Sequence, residues 1–138
     1  MGKIISLFFL FYSCTLISDK EYSDTFQTVE KEYHSNGELR YEANYFMGKL
    51  HGQLRSWSDT GNLISTVEYN KGRLHGSWLE YYPSGELMHS IKYINGYKDG
   101  EELWYHLNGQ IQSRSYYVKG DMIGTVKRWD GDGKEIAN

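Results

Sequence analysis

One spacing governs what this chain can fold into. Glycines recur every 24 residues in three series: Gly52, Gly76, Gly100 and Gly124; Gly48, Gly72, Gly96 and Gly120; and Gly37, Gly61, Gly85, Gly109 and Gly133. Tyr45, Tyr69, Tyr93 and Tyr117 keep the same period, as do the aromatics Tyr33, Trp57, Tyr81, Tyr105 and Trp129 and the aliphatics Leu39, Leu63, Leu87 and Ile111. Several series in one register define an internal repeat of about four units, and a repeat this short is a single supersecondary unit that buries its apolar surface only by stacking on its neighbours.

Each unit reads as two strands and two turns. In the third copy, residues 77–82 (SWLEYY) are rich in strand-favouring types, and Pro83, Ser84 and Gly85 supply turn chemistry. Residues 86–93 (ELMHSIKY) form the return strand, and residues 94–100 (INGYKDG) read as a longer, glycine-bounded connection. Alternation on the return strand sends Leu63, Val67 and Tyr69 to one face, and Leu87, Ile91 and Tyr93 likewise one unit later, with Glu68 and Lys92 on the other. The prediction is an all-β fold, an array of antiparallel β-hairpins making an elongated, twisted meander sheet over residues 29–138. At its far end Glu135 occupies the aliphatic slot, a polar residue suited to a sheet edge.

The N-terminus reads differently. Lys3 precedes an unbroken apolar run over residues 4–12 (IISLFFLFY), which is too short to span a bilayer and has the length of an export-signal core. Ser13-Cys14 follows, resembling a bacterial lipoprotein processing site, in which Cys14 would be the lipid attachment point and the anchor to a membrane. Phe11 and Tyr12 stand where that pattern has Leu and a small residue, so an ordinary signal peptide cut near Ser18 stays open. Residues 1–18 are thus expected to be a signal, residues 19–28 a polar tether, and the protein exported, either membrane-anchored or secreted.

Tyr45-x-x-Gly48-Lys49-Leu50-His51-Gly52 recurs as residues 69–76 (YNKGRLHG) and 93–100 (YINGYKDG). This pattern resembles the MORN-repeat variant, and in bacteria that variant is typical of YwqK-type antitoxins. The resemblance implies the hairpin-repeat fold and, through the antitoxin label, binding to a partner protein. An export signal fits poorly with a cytoplasmic antitoxin, so the first expectation is a protein-interaction module at the cell envelope. A cytoplasmic antitoxin that neutralises a toxin by direct binding and a structural membrane-associated spacer are the alternatives.

Chemistry is sparse. A net charge of -3 with both signs scattered gives no reason to expect nucleic acid. Cys14 is the only cysteine, which rules out an internal disulfide or a cysteine-based zinc site. His51 and His75 share one slot in adjacent units, about 10 Å apart by strand spacing, too far for one metal ion. They read as turn residues before glycine, and His34, His89 and His106 as falling at unrelated phases. The acidic residues show no pair at a position unexplained by the repeat, and Asp130 and Asp132 lack the spacing of a calcium loop. No enzyme, metal or cofactor is expected. The tyrosine row is assigned to packing. Trp78 and Trp104 stand outside the phase shared by Trp57 and Trp129, which makes them the candidate partner-binding residues.

Overall fold

A computed structural model describes residues 19–22 and 27–137. The signal, Cys14 and the first cleavage options therefore lie outside the described residues. Eleven strands form one sheet in which every strand pairs with its sequence neighbour: β1 (Asp19–Tyr22), β2 (Gln27–Tyr33), β3 (Leu39–Phe46), β4 (Lys49–Trp57), β5 (Leu63–Asn70), β6 (Arg73–Tyr81), β7 (Leu87–Ile94), β8 (Tyr97–Tyr105), β9 (Ile111–Val118), β10 (Asp121–Trp129) and β11 (Glu135–Ile136). All pairings are antiparallel. The all-β hairpin array expected from the repeat is the observed architecture. Within the span read as a tether, Asp19–Tyr22 forms β1 and pairs with β2.

Two kinds of connection alternate. On one side lie loops such as Tyr82 to Glu86, closed by hydrogen bonds from Tyr82 N to Glu86 O and from Gly85 N to Tyr82 O, both 2.9 Å. On the other side the connection is tighter than the sequence suggested. Residues 94–100 are no long connection: β7 runs to Ile94, β8 starts at Tyr97, and only Asn95 and Gly96 turn the chain. Their φ angles of 53° and 91° are those of a type I′ turn, whose twist matches the flanking strands.

Gly52, Gly76, Gly100 and Gly124 consequently fall inside strands, at a bulge. Val67 pairs with Trp78 and Tyr69 with Leu74, so His75, Gly76 and Ser77 together face Glu68. The bulge needs φ of 115° at Gly76, and a Cβ there would lie 2.1 Å from Glu68 Oε2. The tyrosine row fits this arrangement: Tyr69, Tyr93 and Tyr117 each pair with the bulge glycine of the preceding unit, Gly52, Gly76 and Gly100.

Neighbouring units are stapled by side chains in repeated slots. His51 Nδ1 and His75 Nδ1 accept from the turn N–H groups of Lys71 and Asn95 at 3.4 Å, and Asp99 Oδ2 accepts from Lys119 N at 3.2 Å. The slot thus requires an acceptor, which both residue types supply. His34 and His106 are not at unrelated phases, as expected above. They occupy one slot three units apart, with Nε2 2.9 Å from the carbonyls of Trp57 and Trp129 in the following unit. Tyr82 fills the same slot and donates to Tyr105 O at 2.7 Å.

A central row crosses one face: Ala43, Leu54, Val67, Trp78, Ile91, Glu102 and Ser115, each paired with the next. Ala43, Val67 and Ile91 form the buried apolar core, at 1%, 6% and 3% exposure. With the described strands in a single sheet, cross-strand pairs along such rows, each contributing about 0.2–1 kcal/mol, are the unit of stabilisation.

Candidate functional site

From Ala43 to Ile91 the central row is apolar, and beyond Ile91 it turns polar; at its other end Ala43 pairs with Glu30, which shares the Glu102 slot. Glu102 stands in the slot held by Leu54 and Trp78, and Ser115 in the slot of Ala43, Val67 and Ile91. Lys98 takes the slot of Leu50 and Leu74, and His89 that of Tyr41, Ser65 and Ser113. Glu80 pairs with His89, and His89 with Trp104, in the next row of the same face. The fold therefore gathers these substitutions into one cluster on β6 to β9.

His89, Glu102 and Ser115 are buried. His89 Nδ1 lies 2.9 Å from Glu80 Oε2 and Nε2 lies 3.2 Å from Glu102 Oε1. A ring with a proton on each nitrogen donates to both carboxylates. Lys98 Nζ donates to Glu102 Oε1 at 2.6 Å, and Ser115 Oγ donates to Glu102 Oε2 at 3.3 Å. Burial pushes the Glu102 carboxyl up, but hydrogen bonds from Lys98, Tyr117 and His89 and the Lys98 charge outweigh it and hold it below its ordinary value. Burial acts to lower the Lys98 ammonium, and the bond and charge of Glu102 outweigh that too, leaving it raised. Lys98 Nζ also sits 4.7 Å from the centre of the Tyr117 ring.

Trp104 is the outward product of this cluster. Its ring stacks on the His89 imidazole with centroids 4.1 Å apart and planes 23° from parallel, yet the residue is 37% exposed. It also lines a hollow of about 530 Å³, with Ser113, Arg128, Trp129 and Ile136 among the other walls. Trp78, the other tryptophan singled out from the sequence, sits in the central row, half-buried and 5.9 Å from the Tyr93 ring. The two tryptophans share a face but differ in setting: Trp78 is half-buried in the central row, and Trp104 is more exposed in the row beside it.

The reading that no pair of acidic residues stood apart from the repeat is corrected by Glu80 and Glu102, which flank His89 on its two nitrogens. The signal for Glu102 was present in the sequence: a charged residue in a slot that holds Leu54, Trp78 and Val126 in other units and is otherwise acidic only at Glu30 in the first. Asp130, by contrast, is a turn residue, its Oδ1 accepting from the N–H groups of Asp132 and Lys134. Among the described residues no group of three or more His, Cys, Asp or Glu is placed to hold a metal ion.

The match to known families follows the same periodicity. Residues 27–46, 50–71, 74–95 and 98–119 each match the MORN repeat variant. The chain belongs to that family. The four matched segments start in successive hairpins, so the MORN units are the structural units described above. MORN repeats are generally protein- and membrane-interaction modules. A comparison with curated proteins gives no match. The polar cluster lies across the boundary between the third and fourth MORN units, where β7 meets β8 and β9.

Proposed function

We propose that this protein is a non-enzymatic interaction module that binds a partner protein through the Trp104 face of its last two MORN units, held at the cell envelope by its N-terminal segment. The observation that carries the reading is the Trp104 stack. A half-exposed indole fixed on a buried, doubly hydrogen-bonded histidine is a rigid aromatic anchor, which loses little conformational freedom when it is covered. The hollow beside it gives a partner side chain a recess to enter. Envelope attachment is supported by the apolar run and by Ser13-Cys14.

The test is capture from the source cell's lysate with the full-length chain as bait, followed by affinity measurement with the captured protein. Trp104→Ala is expected to weaken binding at least tenfold, as anchor residues do, with Leu107→Ala as a surface control. Undiminished binding by Trp104→Ala would refute the anchor. If the captured protein is toxic when expressed alone, the partner is a toxin and the antitoxin reading applies. Palmitate labelling of the parent and of Cys14→Ser tests the anchor to the membrane independently.

A further inference from the structure

The opposite face carries a second departure from the repeat. Ile94, Tyr97, Tyr116, Val118 and Ile123 are between 39% and 62% exposed. Ile94 pairs with Tyr97 and Tyr116 with Ile123, so these residues share the face that Ile91, Glu102 and Ser115 turn away from. The corresponding slots of the second unit hold Asn70, Arg73, Glu68 and His75, all polar. The repeat fold therefore does not require apolar residues here, and a solvated edge has no use for five of them.

The corner is held firmly. The Lys119-Gly120 turn is tied back to the preceding strand by Lys119 N to Asp99 Oδ2 and Gly120 N to Lys98 O. Tyr97 lies against that turn, since a Cβ on Gly120 would meet its ring at 3.4 Å. Tyr116 donates from its hydroxyl to Glu101, which fixes the second aromatic ring. The result is a pre-ordered apolar surface crossing two adjacent hairpins.

Its charged rim says what fits. Lys119 and Asp121, both exposed, flank Gly120 with opposite charges. A partner carrying one sign would meet repulsion from one of the two. A second copy related by a two-fold axis that crosses the Lys119–Asp121 line at right angles, in the plane of the contact, sets each lysine against the other copy's aspartate, a contact that occurs twice. We propose that this corner of β7 to β10 is a self-association surface, through which two copies of the chain meet about a two-fold axis.

Sedimentation of the full-length chain over a range of concentrations tests this. A monomer–dimer equilibrium is expected, shifted at least tenfold toward monomer by Val118→Lys, while a lysine at the exposed Leu107 on the other long edge leaves it unchanged. Lys119→Asp and Asp121→Lys are each expected to weaken the dimer, and the doubly exchanged chain to restore it. Circular dichroism verifies that each variant is folded. A chain that stays monomeric throughout, a dimer that survives Val118→Lys, or a double exchange that fails to restore association would overturn the proposal.

Discussion

The Glu102 cluster allows the cost of a buried polar group to be separated from its function, because the repeat supplies the apolar alternative. Glu102→Leu alone installs the residue found at position 54, yet it strips acceptors from Lys98, His89 and Ser115 at once. Removing one partner of a buried pair costs about 3–5 kcal/mol. Lys98 keeps 32% of its side chain in water, so part of its charge is re-solvated. A loss of about 2–3 kcal/mol is expected. The triple variant Lys98→Leu, Glu102→Leu, Ser115→Val reproduces the pattern of Leu50, Leu54 and Val67 on a backbone already suited to it. Replacing a buried ion pair by well-packed apolar residues is neutral or stabilising, by up to about 4 kcal/mol. His89 Nε2 still loses its acceptor in the triple, so the triple is expected to recover most of the single variant's loss without exceeding the parent. Urea unfolding followed by far-ultraviolet circular dichroism reads both values. A triple variant as unstable as the single one would refute the reasoning, since the polar cluster would then be structural. In the expected case the triple folds well but no longer fixes His89 through Glu102, and partner binding through Trp104 falls.

Three further outcomes follow from the geometry. Gly76→Ala should cost about 2–4 kcal/mol, from the unfavourable φ and from displacing Glu68, whose Cβ would lie 2.9 Å from the new one and whose carboxylate bonds Ser77 N. Gly52→Ala, whose new Cβ would meet only Asn44 Cβ at 3.7 Å, should cost about 1–2 kcal/mol, and equal losses in the two unfolding curves would contradict the bulge geometry. Tyr41 donates to Glu30 and is pushed up to about 12, so its absorbance at 295 nm should titrate there and return toward 10 in Glu30→Gln. Glu102 is held below its ordinary 4.5, so its contribution is complete above that value and is lost as pH falls through its folded value. Lys98 is raised above 10.5, so its contribution is present below that pH and lost as pH rises past its folded value. The contributions of these two groups to the urea midpoint should therefore be lost on the acid side of the first limit and the alkaline side of the second, and the acid decline attributable to Glu102 should vanish in the triple variant.

How much of this was legible in the sequence depends on what each residue does. The glycine and tyrosine series fixed the order of β3 to β10, though not β1, because their spacing reports backbone demands shared by every unit: positive φ at the turns and bulges, and an aromatic opposite each bulge. Placement within the unit was less legible. A glycine needing positive φ looks the same in a turn as in a bulge, so Gly100 read as the end of a connection although Asp99 beside it serves the next turn. His34 and His106 went unmatched because Ser58 and Tyr82, between them, are chemically unlike them. The slot needs only reach toward a carbonyl one unit on, and a histidine or a tyrosine hydroxyl meets that need.

The candidate site was hardest to see for a related reason. A repeat array has a fixed answer for each slot, so a residue's identity carries little information until it is compared with its equivalents. Glu102 is ordinary as one acidic residue among 18, and unusual only beside Leu54 and Trp78. Tyr97 is one of 13 tyrosines, and notable because its equivalents are Lys49, Arg73 and Asp121. Both departures are fully assembled in the last two units and on opposite faces. The first puts charge where the fold is driest, and the second puts apolar surface where the fold is wettest. Either would weaken an isolated repeat domain, by desolvation in one case and by exposed apolar area in the other. The second unit, with Leu54 in the first slot and Asn70 and Arg73 in the others, shows that the repeat accepts the opposite choice at each. A function that covers Trp104 on one face and the Tyr97 corner on the other accounts for both, and it confines partner recognition to β6 through β10 while the earlier hairpins extend the sheet.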